Sequence, residues 1–184
     1  RHQLYTFSEI SLALGTVVNA HAYDVFIYDN YGTLTLESLE WANATVTLTQ
    51  ASPTVVTWTG HGLATFDTVT LTTTGAFGTG VAANTQYWIT KIDANTFKLS
   101  ASLILAEAGT FINMTTAGSG THTGHNPQFR QTALVRQNGA WYKTGALTRR
   151  YLGTFYTTST TQTEDSDSKR FLFNAHNRIS KTLV

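Results

Sequence analysis

Apolar and polar residues alternate with a period of two in several short segments of the chain, which is the pattern of half-buried β-strands. Residues 22–28 carry large side chains at both sets of alternate positions, so they predict a strand with both faces partly covered. A turn signal at 29–32 precedes a second alternating segment at 33–39. The two segments predict a β-hairpin. Residues 7–15 fit either a strand or one short helical turn.

The chain from Thr45 to Gly124 is rich in Thr and Gly and almost free of charge, whereas both flanks are richer in charged and aromatic residues. Thr is β-branched and favours strands over long helices. Residues 102–108 predict one helical turn. Short strands are predicted at 54–58, 68–72, 86–91, 96–99 and 111–115. A Thr/Gly-rich composition thus interrupts one that is richer in charged and aromatic residues, and this predicts a small β-module inserted into a loop of a second β-domain.

Beyond Pro127 the strand pattern of the flanks resumes. Asn138-Gly139 is a hairpin signal, because both residues tolerate the left-handed backbone angles of a tight turn. Residues 157–167 are polar and predict an exposed loop. Strands are predicted at 132–136, 141–143, 150–156 and 169–174.

We therefore expect an all-β protein with two modules. Residues 1–44 and 126–184 are predicted to form an outer β-sandwich domain used for assembly and anchoring. Residues 45–125 are predicted to form an inserted small β-barrel or sandwich module.

The composition narrows the classes of function. Charged residues make up 12% of the chain and the net charge is +1, which argues against a broad electrostatic grip on nucleic acid or an anionic membrane. The chain has no cysteine, so disulfides and thiolate metal sites are excluded. No apolar run approaches a membrane span, and no signal peptide is visible. Because the sequence starts with Arg1 rather than Met, a missing or processed upstream part is one expectation.

Three histidines in or near the middle module raise the question of a metal site. His122 and His125 are three positions apart, which places them on opposite faces of a strand but lets them converge in a loop. No acidic residue lies close to them in sequence. We expect His61 to be a turn residue between two glycines and predict no bound metal and no cofactor.

The acidic segment at 164–167 offers oxygen atoms that calcium prefers, but it lacks the twelve-residue pattern of an EF-hand loop. Pairing of these carboxylates with Lys169, Arg170 or Arg178, within the chain or across a subunit boundary, is the favoured interpretation. Glu164 and Asp165 are also too generic to be assigned as glycosidase acids.

Catalytic motifs are missing from the sequence, which contains no nucleophile elbow, zinc-protease helix or phosphate loop. We predict that the protein is not an enzyme and has no catalytic residue. Tyr87 and Trp88 are adjacent, so one of them is expected to face outward. Of Arg149 and Arg150, one is expected to be buried in an interface and paired and the other solvated. The interface or binding candidates are Trp88, Tyr87, Arg149, Arg150, Glu164, Asp165, Lys169, Arg170 and Arg178.

Motifs in both parts of the chain resemble tailed-bacteriophage virion proteins. In the middle part they are Val-Thr-Trp-Thr-Gly-His-Gly-Leu at 56–63, Tyr-Trp-Ile at 87–89, Asp-Ala-Asn-Thr-Phe-Lys-Leu at 93–99 and Gly-Thr-His-Thr at 120–123. In the outer part they are Tyr-Asp-Val-Phe at 23–26, Trp41, Arg-Arg-Tyr-Leu-Gly-Thr at 149–154, Thr-Glu-Asp-Ser at 163–166, Lys-Arg-Phe at 169–171 and Asn-Arg at 177–178. Ala175-His176 replaces the bulky aromatic pair that usually precedes Asn-Arg in that group.

This resemblance implies a non-enzymatic virion structural protein, a surface fibre, spike or decoration subunit that is made in the bacterial cytoplasm and located on the particle surface. It implies a homo-oligomer, with a trimer favoured by analogy with fibres. Other virion proteins are the implied partners, together with host surface glycan or protein, and neither nucleic acid nor membrane insertion is expected. The alternatives are a neck, tail-adaptor or capsid-stabilising protein without a receptor role and, less favoured, a spike that degrades host polysaccharide.

Overall fold

The computed structural model describes residues 9–163 and 172–174. Within these ranges the chain forms twelve strands and one short helix, α1 (Leu103–Glu107). The strands are β1 (Ala22–Asn30), β2 (Thr33–Glu40), β3 (Asn43–Leu48), β4 (Val55–Thr57), β5 (Thr68–Thr73), β6 (Thr85–Lys91), β7 (Thr96–Ser100), β8 (His122–His125), β9 (Leu134–Gln137), β10 (Ala140–Lys143), β11 (Ala146–Tyr156) and β12 (Leu172–Asn174).

The strands form two antiparallel sheets, and the all-β fold class is confirmed. The outer sheet has the order β2-β1-β11-β10-β9, with β12 also paired to β11. The remaining six strands close into a barrel with the order β3-β4-β7-β6-β5-β8. Among the described residues, the outer strands are hydrogen-bonded into this one sheet. The division of the chain into two folding domains remains a prediction.

The barrel begins and ends with neighbouring strands. β3 and β8 are its first and last strands in the chain, and they close the barrel by pairing, with Asn43 opposite His125. Directly opposed residues of an antiparallel pair have Cα atoms about 5 Å apart. The chain therefore enters and leaves the barrel at adjacent positions, while the outer sheet is built from strands on either side of this segment.

A continuous apolar core fills the barrel because alternate residues of its strands point inward. Complete burial stabilises each large apolar side chain by about 1.5–3 kcal/mol. Side chains with no exposed surface are Val56, Leu63, Val69, Leu71, Ile89, Phe97 and Leu99. Gly124 on β8 also points inward, and a Cβ there would lie 2.6 Å from the Trp58 ring. This position therefore requires glycine.

The outer sheet buries a smaller apolar cluster. The rings of Tyr23 and Phe155 stack with centroids 5.2 Å apart, and Val17 packs against them. Asp24 and Phe26 are buried on the opposite face of β1. The predicted strand with both faces partly covered is thus confirmed.

Several local predictions are confirmed. Asn138 and Gly139 have φ angles of 48° and 79°, as the predicted hairpin turn requires. The predicted helical turn is α1, which begins after Ser102, whose side chain accepts a hydrogen bond from the Leu105 backbone N–H as an N-cap.

Other local predictions are wrong. Residues 111–115 form no strand, because Ile112 makes irregular backbone bonds to both Thr54 and Leu99. Residues 9–15 form neither strand nor helix. Thr157, predicted in an exposed loop, is fully buried, and its hydroxyl accepts a hydrogen bond from the His21 N–H at 3.0 Å. Residues 7–8, 164–171 and 175–184 lie outside the described residues.

No helix within the described ranges has the length and apolar character needed to cross a membrane.

Candidate functional site

The two sheets meet where the chain passes between them. The Asn126 N–H donates to the Ala42 carbonyl at 2.7 Å, and the Ala42 N–H donates to the Phe129 carbonyl at 2.9 Å. The Trp41 N–H donates to the Ala22 carbonyl at 3.0 Å. The segments that enter and leave the barrel are therefore tied to each other and to the start of β1.

Three side chains converge at this crossing, and we call them the junction cluster: His21, Glu40 and His125. His21 lies immediately before β1, Glu40 ends β2 and His125 ends β8. Nε2 of His21 lies 3.3 Å from Oε1 of Glu40, and Nδ1 of His125 forms a short hydrogen bond with the same oxygen. The two imidazole rings meet edge to face with centroids 5.5 Å apart.

Burial controls the electrostatics of the cluster. His21 is completely buried and His125 is 5% exposed, whereas the Glu40 side chain retains 22% exposure. Burial lowers the pKa of His21 to about 4 and outweighs the opposite effect of the Glu40 charge. Burial alone would raise the pKa of Glu40, but the hydrogen bond from His125 and the nearby imidazoles bring it below its usual value. At neutral pH His21 is neutral and Glu40 is ionised.

The two histidines differ in their outer contacts. Nε2 of His125 lies 2.7 Å from the Thr72 hydroxyl on β5. Nδ1 of His21 is buried and has no hydrogen-bond partner, and its Nε2 has only a long 3.5 Å contact with the Trp41 carbonyl besides Glu40. His125 is thus held in orientation from two sides, while the bonding capacity of His21 is largely unused.

Two imidazole nitrogens and one carboxylate oxygen are the donor atoms of the cluster, and one such atom from each residue lies within 4.8 Å of the others. Neutral imidazole and ionised carboxylate are the forms that bind divalent transition metals. The same groups also form a hydrogen-bonded network without an ion. The geometry permits both.

A second polar arrangement covers one face of the outer sheet. Glu37 accepts hydrogen bonds from Lys143 Nζ at 2.7 Å and from Arg149 Nε at 2.6 Å. The guanidinium of Arg149 lies over the Tyr28 ring, and the ammonium of Lys143 lies over the Phe26 ring. These cations are stabilised by a carboxylate and an aromatic face together, which is a structural arrangement within one chain.

Buried Asp24 anchors the same face. It accepts hydrogen bonds from Arg130 Nε at 2.9 Å, Trp41 Nε1 at 3.1 Å and the Thr154 hydroxyl at 2.6 Å. The Arg130 guanidinium also lies 4.9 Å from the Trp41 ring centroid. Trp41, which follows the first hairpin, is therefore fixed next to the junction cluster by a charged network.

The structure places the predicted interface residues as follows. Tyr87 is buried in the barrel core, and its hydroxyl accepts a hydrogen bond from the Ala82 N–H, so it offers no contact surface. Trp88 points the other way and is half-buried. Arg149 pairs with Glu37 as described, and Arg150 is exposed. The remaining candidates, Glu164, Asp165, Lys169, Arg170 and Arg178, lie outside the described residues.

The three histidines singled out in the sequence do not come together. His61 sits in a turn between Gly60 and Gly62, where its Nδ1 accepts a hydrogen bond from the Leu63 N–H at 3.0 Å. His122 contacts the Thr73 hydroxyl at 2.8 Å and stacks on Phe77. Only His125 joins a cluster, and its companions His21 and Glu40 had not been predicted.

Sequence spacing gave no signal for those companions. Glu40 and His125 are 85 positions apart, and only the pairing of β3 with β8 brings them together.

No protein-family model matches the chain, and neither a curated protein nor a solved structure matches it. The strand pairing and the site geometry therefore define the protein at the level of its class: an all-β protein with a closed barrel joined to an open sheet through a buried polar junction.

Proposed function

We propose that the chain is a non-enzymatic structural subunit of a tailed-bacteriophage particle, a surface fibre, spike or decoration protein. The observation that carries this proposal is the pairing of β3 with β8, which connects the barrel to the outer sheet through two neighbouring segments of the chain. Modules connected in this way extend the reach or contact area of assembly proteins. The assignment to a phage particle rests on the motif resemblance described above.

The surface of the barrel suits a role in contact. Three consecutive apolar side chains, Leu103, Ile104 and Leu105 of α1, are 40%, 75% and 37% exposed. Charged residues are few across this part of the chain, so its contacts are dominated by apolar and hydroxyl groups. An exposed apolar group of this kind is typical of a binding surface.

The far end of the outer sheet offers a second apolar surface for assembly. Trp141 on β10 and Leu147 on β11 are 37% and 51% exposed. Burial of these side chains between subunits would provide the hydrophobic contribution that a small sheet lacks on its own. We propose a homo-oligomer, with a trimer favoured.

The proposal is tested on the phage that encodes the chain. Mass spectrometry of purified particles should detect the protein in a stoichiometric ratio to other virion proteins, and cryo-electron microscopy should locate barrel-shaped density projecting from an ordered base. Light scattering of the purified full chain should give a mass that is a multiple of 20.1 kDa. A chain absent from purified particles, or monomeric at all concentrations, would contradict these two parts respectively.

A receptor role is the second candidate, and the exposed apolar residues of α1 favour it over pure assembly in a neck or tail adaptor. Binding of the full chain to host cells or a glycan array should weaken at least tenfold in Ile104→Ser. Ile92→Ser is the matched control, because Ile92 is 50% exposed in a hairpin turn of the same barrel. Equal binding by both variants assigns the contact to another surface. Absence of binding in the wild type, with particles that disassemble when the protein is deleted, supports the adaptor role.

A further inference from the structure

We propose that His21, Glu40 and His125 bind a divalent transition metal, with Zn²⁺ as the fitting ion, and that this ion fastens the barrel to the outer sheet. The proposal does not depend on a role in a virus particle. It rests on the donor set, the convergence of the three donor atoms and the weak contacts of Nε2 in buried His21.

The donor atoms have the chemistry of a zinc site, and one pair of them has the spacing of two zinc ligands. Zinc binds imidazole nitrogen and carboxylate oxygen at about 2.0–2.2 Å in a tetrahedral arrangement, which places neighbouring donors about 3.3 Å apart. Nε2 of His21 and Oε1 of Glu40 are separated by 3.3 Å. Two imidazoles with a single carboxylate favour zinc and its neighbours over calcium or magnesium, which take mainly oxygen donors.

The weak contacts of Nε2 in buried His21 support an ion at this nitrogen. A completely buried polar side chain normally satisfies its hydrogen-bonding groups. Nε2 of His21 has only the contacts at 3.3 and 3.5 Å, and a metal bond would replace them. Nδ1 has no hydrogen-bond partner and carries the ring proton when Nε2 binds the ion, so the ion acts on Nε2 alone.

The surroundings of the other two donors complete the site. The Thr72 hydroxyl contacts the outer nitrogen of His125, as partners of metal-bound histidines commonly do, and this leaves Nδ1 facing Glu40. Glu40 is partly exposed, which gives an ion a route from solvent. Binding would move His125 and Glu40 apart and replace their hydrogen bond with two metal bonds. The Nδ1 proton of His125 would move to its Nε2, which would then donate to the Thr72 hydroxyl, and water would occupy the fourth position.

The origin of the ligands predicts what the ion does. His125 belongs to the last strand of the barrel, whereas His21 and Glu40 belong to the outer part of the chain. An ion held by all three binds the folded state and not the unfolded chain, so it stabilises the junction by mass action.

The experiment uses the full chain after treatment with a chelator. Zinc titration by calorimetry should give one site, and thermal unfolding should shift to higher temperature as zinc increases and return after chelation. Co²⁺ should give the visible absorption of a four-coordinate site. Glu40→Gln, which keeps the size of the side chain, and His125→Gln should each weaken zinc binding at least tenfold. His122→Gln is the matched control, since His122 lies on the same strand and contacts a Thr hydroxyl outside the cluster.

Circular dichroism establishes that each variant is folded before binding is compared. Thr72→Val should retain the site but weaken zinc binding about 10-fold to 100-fold through the outer contact of His125. Failure of the folded wild type to bind zinc overturns the proposal. Equal zinc affinity in wild type, Glu40→Gln and His125→Gln also overturns it, because the ion would then lie elsewhere.

Discussion

At the scale of single residues, the outer sheet depends on carboxylates that are held by several donors. Buried Asp24 is compensated by Arg130, Trp41 and Thr154, so its charge is never left alone in the interior. Glu37 is similarly bound by Lys143 and Arg149. Apart from the Asp24–Trp41 bond, these pairings connect residues more than 100 positions apart, such as Glu37 and Arg149, and no local sequence pattern reveals them. The sequence predicted that one of Arg149 and Arg150 is buried in an interface and paired and the other solvated, and Arg149 pairs with Glu37 of its own chain.

We predict that Glu37→Gln reduces the dependence of stability on pH in the acid range. Burial alone would raise the Glu37 pKa, but the hydrogen bonds from Lys143 and Arg149 outweigh it and hold the pKa below its ordinary value of 4.5. A carboxyl group with a lowered folded-state pKa stabilises the fold above its unfolded pKa, and this contribution disappears as pH falls through the folded value. Urea denaturation between pH 7 and pH 3 measures the effect. The variant should lose about 1 kcal/mol at pH 7 and converge with wild type in acid.

Asp29→Asn is the matched control, because Asp29 accepts a local hydrogen bond from the Gly32 N–H in an exposed turn. Parallel stability curves for wild type and Glu37→Gln from pH 7 to pH 3 would contradict the assignment.

At the scale of elements, alternation of side chains located strands whose apolar residues face a core, as in β1 and β2. It failed for β8, whose four residues are His-Thr-Gly-His and contain no apolar side chain. It also assigned a strand to 111–115, where Ile112 and Met114 pack against the barrel core from irregular backbone. Burial of an apolar side chain does not require strand pairing, and strand pairing does not require an apolar side chain. The alternation pattern therefore located other strands of the barrel but not β8, the strand that closes it.

Gly124→Ala in β8 should destabilise the protein by about 1–3 kcal/mol through overpacking. The added Cβ would meet the Trp58 ring at 2.6 Å and the Val46 side chain at 2.9 Å. Thr123→Ala is the control, since Thr123 is the neighbouring residue and faces the opposite side of the strand. Thermal unfolding and Trp fluorescence measure the two effects. A Gly124→Ala variant as stable as the control would show that β8 does not close the barrel against Trp58.

At the scale of the whole molecule, the amino-acid composition changes near residues 45 and 124, close to the limits of the barrel, which runs from Asn43 to His125. The limits of the barrel can be predicted from composition because the barrel core and the outer sheet contain different side chains. The junction cluster cannot be predicted from the sequence, because its three side chains come from positions that only the closed barrel brings together. The barrel also contacts the outer part through the Thr70 hydroxyl, which donates to the Asn19 carbonyl at 3.1 Å. The two sheets are therefore adjacent bodies with a polar boundary.

Replacement of residues 44–124 by a short Gly-rich linker should leave the outer sheet folded. Asn43 and His125 are directly paired, so a few residues can span the gap without moving either end. The deletion removes the Thr70 hydrogen bond to Asn19 and the Thr72 contact of His125 and exposes the junction cluster, so we expect a lower unfolding temperature but a single cooperative transition. Far-ultraviolet circular dichroism and the dispersion of amide resonances measure the retained β-structure. An unfolded deletion variant, together with a wild type that unfolds in one step, would mean that barrel and sheet form one cooperative unit. The outer domain would then not fold independently of the barrel.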